Sequence, residues 1–273
     1  MRILIATGGS PHSEIALRYG AELARRSQTP PTILTVIRRD KGRSRAETIL
    51  ARAARLVPEK MPATLKVRVG HPAEEILREA EEGGYDLILV GDRQRHPLMT
   101  RFLLGSVAER VVTHAPCPVI IAKGKAGQLR RVLICDSGIE TPSLLDRIKT
   151  QLPALVDEAG DVTVLHVMSQ ISSGPGVPGR HLRADADRLI AERAPEGQLL
   201  TQDLQRLARL RIPAQPKVRH GLVVDEILAE ARSGDYDLVV IGTHREQGWQ
   251  RLLLDDLAQQ IIRQVDRPIL VAR

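Results

Sequence analysis

Residues Val67–Arg93 read VRVGHPAEEILREAEEGGYDLILVGDR, and residues Val218–His244 read VRHGLVVDEILAEARSGDYDLVVIGTH. The second stretch repeats the first. Gly70 pairs with Gly221 and Gly91 with Gly242, each 151 residues apart. Nearer the start, Arg2–Ile5 matches Arg131–Ile134 at a spacing of 129 residues. The later copy therefore carries 22 more residues between its first strand and the shared motif. Most of them belong near Ser169–Arg183, where Ser172, Ser173, Gly174, Pro175, Gly176, Pro178 and Gly179 predict a loop. Two copies are too few for a solenoid, so the chain reads as a duplicated domain. The expected boundaries are residues 1–124 for the first domain, 125–129 for a linker and 130–273 for the second, with the inserted loop near 169–184.

Within each copy, short apolar runs alternate with amphipathic stretches. Ile3–Thr7, Thr32–Ile37, Thr64–Val69, Asp86–Gly91 and Val119–Ala122 have the unbroken apolar character of strands covered on both faces. His12–Arg26, Ser44–Val57, Pro72–Glu82 and Ser106–His114 read as the helices between them. Pro72 fits a helix start, Glu74 and Glu75 suit its positive end, and Gly83-Gly84 stop it. The second copy offers strands at Arg131–Cys135, Val162–Val167, Lys217–His220, Asp237–Gly242 and Ile269–Ala272. Asp185–Leu210 reads as one extended helix or a helix broken near Pro195-Glu196-Gly197. The predicted class is α/β: two doubly wound, five-stranded parallel sheets of Rossmann-like form. Such sheets take ligands beyond the carboxyl ends of their strands, where chain direction reverses.

Composition narrows the function classes. The 273 residues include 42% apolar and 27% charged residues, the balance of a folded domain. No apolar run reaches the ~18 residues of a membrane span, and Met1 leads into Ile3 without room for a signal peptide. The expected location is cytoplasmic. Two cysteines, Cys117 and Cys135, exclude a disulfide framework, and eight scattered histidines show no zinc-binding spacing, so no metal site is expected. Up to Gly127 there are 21 Lys and Arg against 13 Asp and Glu, so the net +7 of the chain arises in the first half. A basic half attracts phosphates, but aromatic residues at 2% leave little for bases to stack on. Nucleic acid is therefore not an expected partner.

After the fourth strand the first copy runs from Gly91 through Arg93, Arg95 and Arg101 to Gly105-Ser106-Val107. A glycine ending a strand admits close approach, and a helix opening at Gly105-Ser106 offers free amides to a phosphate. The arginines can neutralise further phosphate charge. The bland alternative is that Gly105 turns the chain and Ser106 caps the helix.

Both copies resemble universal stress protein domains, so the chain is similar to a tandem universal stress protein. The resemblance rests on Ile3–Ser10, the Gly70–Ile76 stretch, Tyr85–Gly91, and Leu103–Val111 running into His114–Pro118. It implies a five-stranded fold of the adenine nucleotide alpha hydrolase type, and a stress-response role in nucleotide sensing or partner binding. Nucleotide-binding members carry Gly-x2-Gly-x9-Gly-Ser/Thr around the ATP phosphates. Gly91 and Gly105-Ser106 fit its ends; Gln94 replaces the middle glycine and the loop is one residue longer. In the second copy Gly242 fits, but Arg245 and Asp255-Asp256 do not, and paired carboxylates would repel a triphosphate.

The family aspartate that meets the nucleoside is expected at Gly8, after Thr7, in the first copy and is assigned to Asp136 in the second. Backbone contacts to adenine map onto Val36 and Val167. The resemblance thus implies ATP, with Mg²⁺ only if ATP binds, in the first domain. Thr7, Gly8, Val36, Gly91, Arg93, Arg95, Gly105, Ser106 and Val107 would line that site, with Asp136, Val167 and Gly242 as its weaker echo. Pairing through fifth strands implies an intramolecular pseudo-dimer, with homodimers as a further assembly.

No nucleophile–base pair or other catalytic constellation is legible, so an enzyme is not expected. The alternatives are an interaction scaffold that has lost its ligand, and slow ATP hydrolysis. Of the remaining candidates, His244 and Arg245 read as phosphate contacts or plain surface residues. Cys117 reads as a reactive or an inert buried thiol. The run Arg38, Arg39, Lys41, Arg43 and Arg45 reads as a ligand mouth or a charged loop.

Overall fold

The computed structural model describes residues 1–58, 60–92, 105–124, 129–138, 142–156, 159–169, 183–243 and 256–273. They fall into two compact units, one holding residues 1–124 together with 266–273, the other 129–243 with 256–265.

In the first unit the chain runs β1 (Ile3–Ala6), α1 (Pro11–Ser27), β2 (Thr32–Ile37), α2 (Arg43–Ala54), β3 (Thr64–Val69), α3 (Pro72–Gly83), β4 (Leu87–Gly91), α4 (Ser106–His114) and β5 (Val119–Ala122). Its first five strands are parallel and ordered β3-β2-β1-β4-β5, so chain direction reverses between β1 and β4. The apolar strands β1, β4 and β5 form the centre of the core, as runs too apolar for solvent on either face require. Edge strand β3 instead exposes Leu65 and Val69. The far side of β5 is closed by β10 (Ile269–Ala272), which pairs with it antiparallel, Leu270 opposite Ile120. The apolar β5 is thereby not a bare edge. Arg273 follows β10 and donates to the Val112 carbonyl near the end of α4.

The second unit contains β6 (Arg131–Cys135), α5 (Leu144–Gln151), α6 (Pro153–Val156), β7 (Asp161–Met168), α7 (Ala186–Ala191), α8 (Pro195–Arg209), β8 (Ala214–His220), α9 (Val223–Ser233), β9 (Leu238–Gly242) and α10 (Asp256–Gln264). Its parallel order is β9-β6-β7-β8. The predicted helix over Asp185–Leu210 is two helices. The break comes earlier than Pro195: Arg193 adopts a left-handed backbone (φ 53°), and Pro195 begins α8, where its missing amide costs nothing. Leu189 and Ala194 join Met168 and Ala184 in a small apolar cluster that seats α7.

The quoted repeat builds the same brace twice. Glu79 of α3 is buried and accepts from Lys66, Arg68 and the Tyr85 hydroxyl; Glu230 of α9 does the same with Lys217, Arg219 and Tyr236. Burial alone would raise both carboxyls, but those donors outweigh it and hold them below the usual range. Each glutamate thus fastens the edge strand of its unit, β3 or β8, to the helix that follows it.

Candidate functional site

The switch point of the first unit lies where β1 and β4 end side by side, Ala6 opposite Val90. Thr7 follows β1, is buried, and donates its amide to the Leu34 carbonyl. Its Oγ1 accepts from the Gly9 amide at 3.2 Å and donates to Ser13 Oγ at 3.1 Å, while its carbonyl accepts from Thr35 Oγ1. Ser10 then caps α1 in a reciprocal arrangement with Ser13, so a short polar network sets the entry to the helix. Gly8 faces outward: a Cβ there would meet nothing within 4 Å. Beside it is a cavity of about 480 Å³. Thr7–Ser10 form one wall, Leu17 and Ile49 give an apolar surface, and Arg45 and Arg52 of α2 lie on its rim. Arg52 also pairs with Glu14 at 3.2 Å. Of the basic run after β2, then, Arg45 reaches the cavity lining, whereas Arg43 pairs with Asp40.

Gly91 at the end of β4 has a packing reason independent of any ligand. A Cβ there would lie 2.4 Å from the His12 carbonyl oxygen, so only glycine lets the first turn of α1 come this close. Gly105, not Ser106, is the N-cap of α4; Ser106 is its exposed first residue and makes no side-chain cap. The Gly105 amide donates to Asp92 Oδ1 at 3.1 Å, and Asp92 Oδ2 lies 3.4 Å from Lys123 Nζ. Both charged side chains are buried, and burial pulls the Lys123 ammonium down against the opposing pull of Asp92. Sequence reading missed this pair because Asp92 stands at an unspecified position of the Gly-x2-Gly pattern and Lys123 lies outside it; the register Gly91 opposite Ala122 brings them together. Val107 lies on the first turn of α4. Val36 lies two residues past the last β1–β2 pair, Ala6–Leu34, so the side of it that would face β1 is beyond the end of that strand. Arg93, Arg95 and Arg101 fall outside the described residues.

The second unit corrects an assignment. Ala6 pairs with Leu34 and Cys135 with Leu165, so Asp136 occupies the place of Thr7, and Ser137 that of Gly8. The backbone agrees: Gly9 and Gly138 both have positive φ (75° and 72°), and Gly138 donates to Asp136 Oδ1 as Gly9 donates to Thr7. Gly8 and Asp136 are therefore not equivalent positions, as the constant spacing of 129 residues already required. Asp136 is buried and faces Asp203 of α8, which is 1% exposed. Burial first, then the charge of Asp136, push the Asp203 carboxyl up to about 6, against the pull of Arg206 at 2.8 Å. Oδ2 of each aspartate is buried without a hydrogen-bond partner among the described residues. Leu199 of α8 also packs so close to Gly138 that a Cβ there would come within 2.5 Å of it. Val167 sits on β7 two residues beyond the Cys135–Leu165 pair, as Val36 does on β2. Gly242 ends β9 and Asp256 opens α10, exposed. His244, Arg245 and Asp255 lie outside the described residues.

Cys117 is buried and its thiol is pushed up to about 12, chiefly by burial, so it stays protonated and inert. Among the described residues no group of three or more His, Cys, Asp or Glu could hold a metal, and no helix is long and apolar enough to cross a membrane.

A doubly wound parallel α/β unit defines the class: a Rossmann-like domain, here built twice. The family model of the universal stress protein family matches residues 1–123 and 130–273, and the chain belongs to that family. A universal stress protein of Mycobacterium tuberculosis is 23% identical over 99% of this chain and 96% of its own length. The crystal structure of a universal stress protein from Archaeoglobus fulgidus covers all of this chain and 98% of its own, with a TM-score of 0.70 and 21% identity, a likeness of fold. Another universal stress protein from A. fulgidus, solved in complex with dAMP, matches 44% of this chain and 94% of its own at 27% identity and a TM-score of 0.36.

Proposed function

We propose that the chain is a cytoplasmic stress-response protein that senses an adenine nucleotide, ATP by preference, in its first unit and passes that state to a protein partner. The observation that carries this reading is the cavity beside Thr7–Ser10. Its volume suits a nucleoside, it has apolar and cationic walls, and it lies at the strand ends where doubly wound sheets take ligands. The phosphates would run toward the first turn of α4 at Gly105, Ser106 and Val107, whose amides and dipole favour anions. Thr7 positions the β1–α1 turn, Gly8 leaves it open, and Val36 offers backbone to the base. The second unit has a buried Asp136–Asp203 pair and the exposed Asp256 where an anion would have to settle, and is assigned a supporting role. The protein is read as a binding module and not an enzyme.

Titration calorimetry with Mg-ATP tests the reading. Saturable binding is expected, lost on Gly105→Asp, a change that α4 itself tolerates because aspartate is a good N-cap. Phosphate release should stay at background. No binding heat and no thermal shift at saturating Mg-ATP would overturn the proposal. The second reading, a scaffold without nucleotide, is favoured by one observation: Gly91 and the Gly105 amide are already used by the protein itself, one in packing and the other by Asp92.

A further inference from the structure

We propose that Asp92 is a built-in competitor for the phosphate end of the site, setting how tightly the first unit holds a nucleotide; the inference rests on the nucleotide reading given above. Asp92 directly follows Gly91, and its amide donates to the Ala122 carbonyl, which fixes its backbone against β5. Its carboxylate makes two contacts. Oδ1 accepts the Gly105 amide at 3.1 Å, and Oδ2 faces Lys123 Nζ at 3.4 Å. Asp92 is 5% exposed and Lys123 3%. A buried carboxylate is costly unless paired and hydrogen-bonded, and here both conditions are met by groups at one corner.

The fold does not demand this acid. In the second repeat the residue after Gly242 is Thr243, so no carboxylate follows the matching glycine. An acid confined to the unit with the cavity acts on what that unit binds. The Gly105 amide is the donor at the mouth of α4, and a carboxylate oxygen presents to it the same acceptor that a phosphate oxygen would. An arriving phosphate must either displace Asp92 Oδ1 or bind with one donor fewer. Lys123 keeps the corner near neutral, so the competition is for the amide and for the lysine's charge. Displacing the carboxylate would turn Lys123 toward the phosphate, and the penalty falls most heavily on the ligand with the most phosphate charge.

Three proteins measured by calorimetry with ATP, ADP and AMP test this. Asp92→Asn keeps an acceptor for Gly105 but removes the charge beside Lys123. Asp92→Thr combined with Lys123→Met frees the amide and leaves no bare buried lysine, which guards against a folding failure of the single change. Asp92→Asn is expected to tighten ATP by about tenfold, with a smaller gain for AMP. The double variant is expected to tighten ATP less than Asp92→Asn does, and to speed hydrogen exchange of the Gly105 amide. If the unaltered protein binds ATP and neither variant binds it tighter, the inference fails while the nucleotide reading stands. If none of the three binds any adenine nucleotide, both fall. Binding by the variants alone would support Asp92 as the competitor and show that it blocks the site outright.

Discussion

The turns after β1 and after β6 begin alike and end differently. In both, the residue after the strand takes an amide from a glycine two positions on, and that glycine has a positive φ. At Thr7 the acceptor is a neutral hydroxyl, tied to Ser13 and to the start of α1. At Asp136 it is a carboxylate that faces Asp203 from α8. One methyl-bearing hydroxyl against one carboxylate thus separates a corner that borders a cavity from a corner that binds its own helix. Duplicated backbones keep their hydrogen-bond geometry while the side chains decide what packs beside the turn.

The largest effect should come from the place where the two units are the same. Glu79→Ala and Glu230→Ala each remove a buried carboxylate that gathers a lysine, an arginine and a tyrosine hydroxyl; because Arg68 keeps Glu75 and Glu82 and Arg219 keeps Glu226, each is expected to cost about 3 kcal/mol. Urea unfolding should report similar losses for both; a large loss in one unit alone would show that the repeat is not energetically matched.

Asp203→Asn probes the difference. The folded carboxyl is raised to about 6 from an unfolded value near 3.8, so its contribution is full below the unfolded value and is lost as pH climbs through 6. Asparagine resembles the protonated form at every pH. The variant should gain up to about 3 kcal/mol over the unaltered protein at pH 7.5 and almost nothing at pH 4. A stability difference independent of pH between 4 and 7.5 would refute the raised Asp203 carboxyl.

The smallest effect is expected at Gly8. Alanine there enters open space at an unstrained backbone, so the melting temperature should shift by no more than the equivalent of about 0.5 kcal/mol. Gly9→Ala, with positive φ and Ile49 at 2.8 Å from the added Cβ, should cost more. Equal melting of the two would mean that the β1–α1 turn is not held as described.

Much of the site was legible, and the reasons for the rest are particular. Thr7, Gly91 and Gly105 stand at the strand end and helix start that the apolar runs predicted. The Gly8–Asp136 equivalence went wrong because a local pattern was preferred to the 129-residue spacing, which side-by-side strand pairing obeys. The break expected near Pro195-Glu196-Gly197 falls directly before Pro195, because proline is at home in a helix's first turn. Asp203 carried no signal, since it lies 67 residues after Asp136 on a helix whose apolar face gives no hint of a buried acid.

The sequence by itself determined the duplication and the α/β class, because apolar periodicity and repeated spacing are local and survive being read along a line. Only the tertiary structure decided the partners: that Asp92 meets Gly105 and Lys123, that Asp136 meets Asp203, and that β5 takes β10 as its neighbour. Buried polar groups must find each other in space, and the chain places such partners tens of residues apart or more, where no spacing rule connects them.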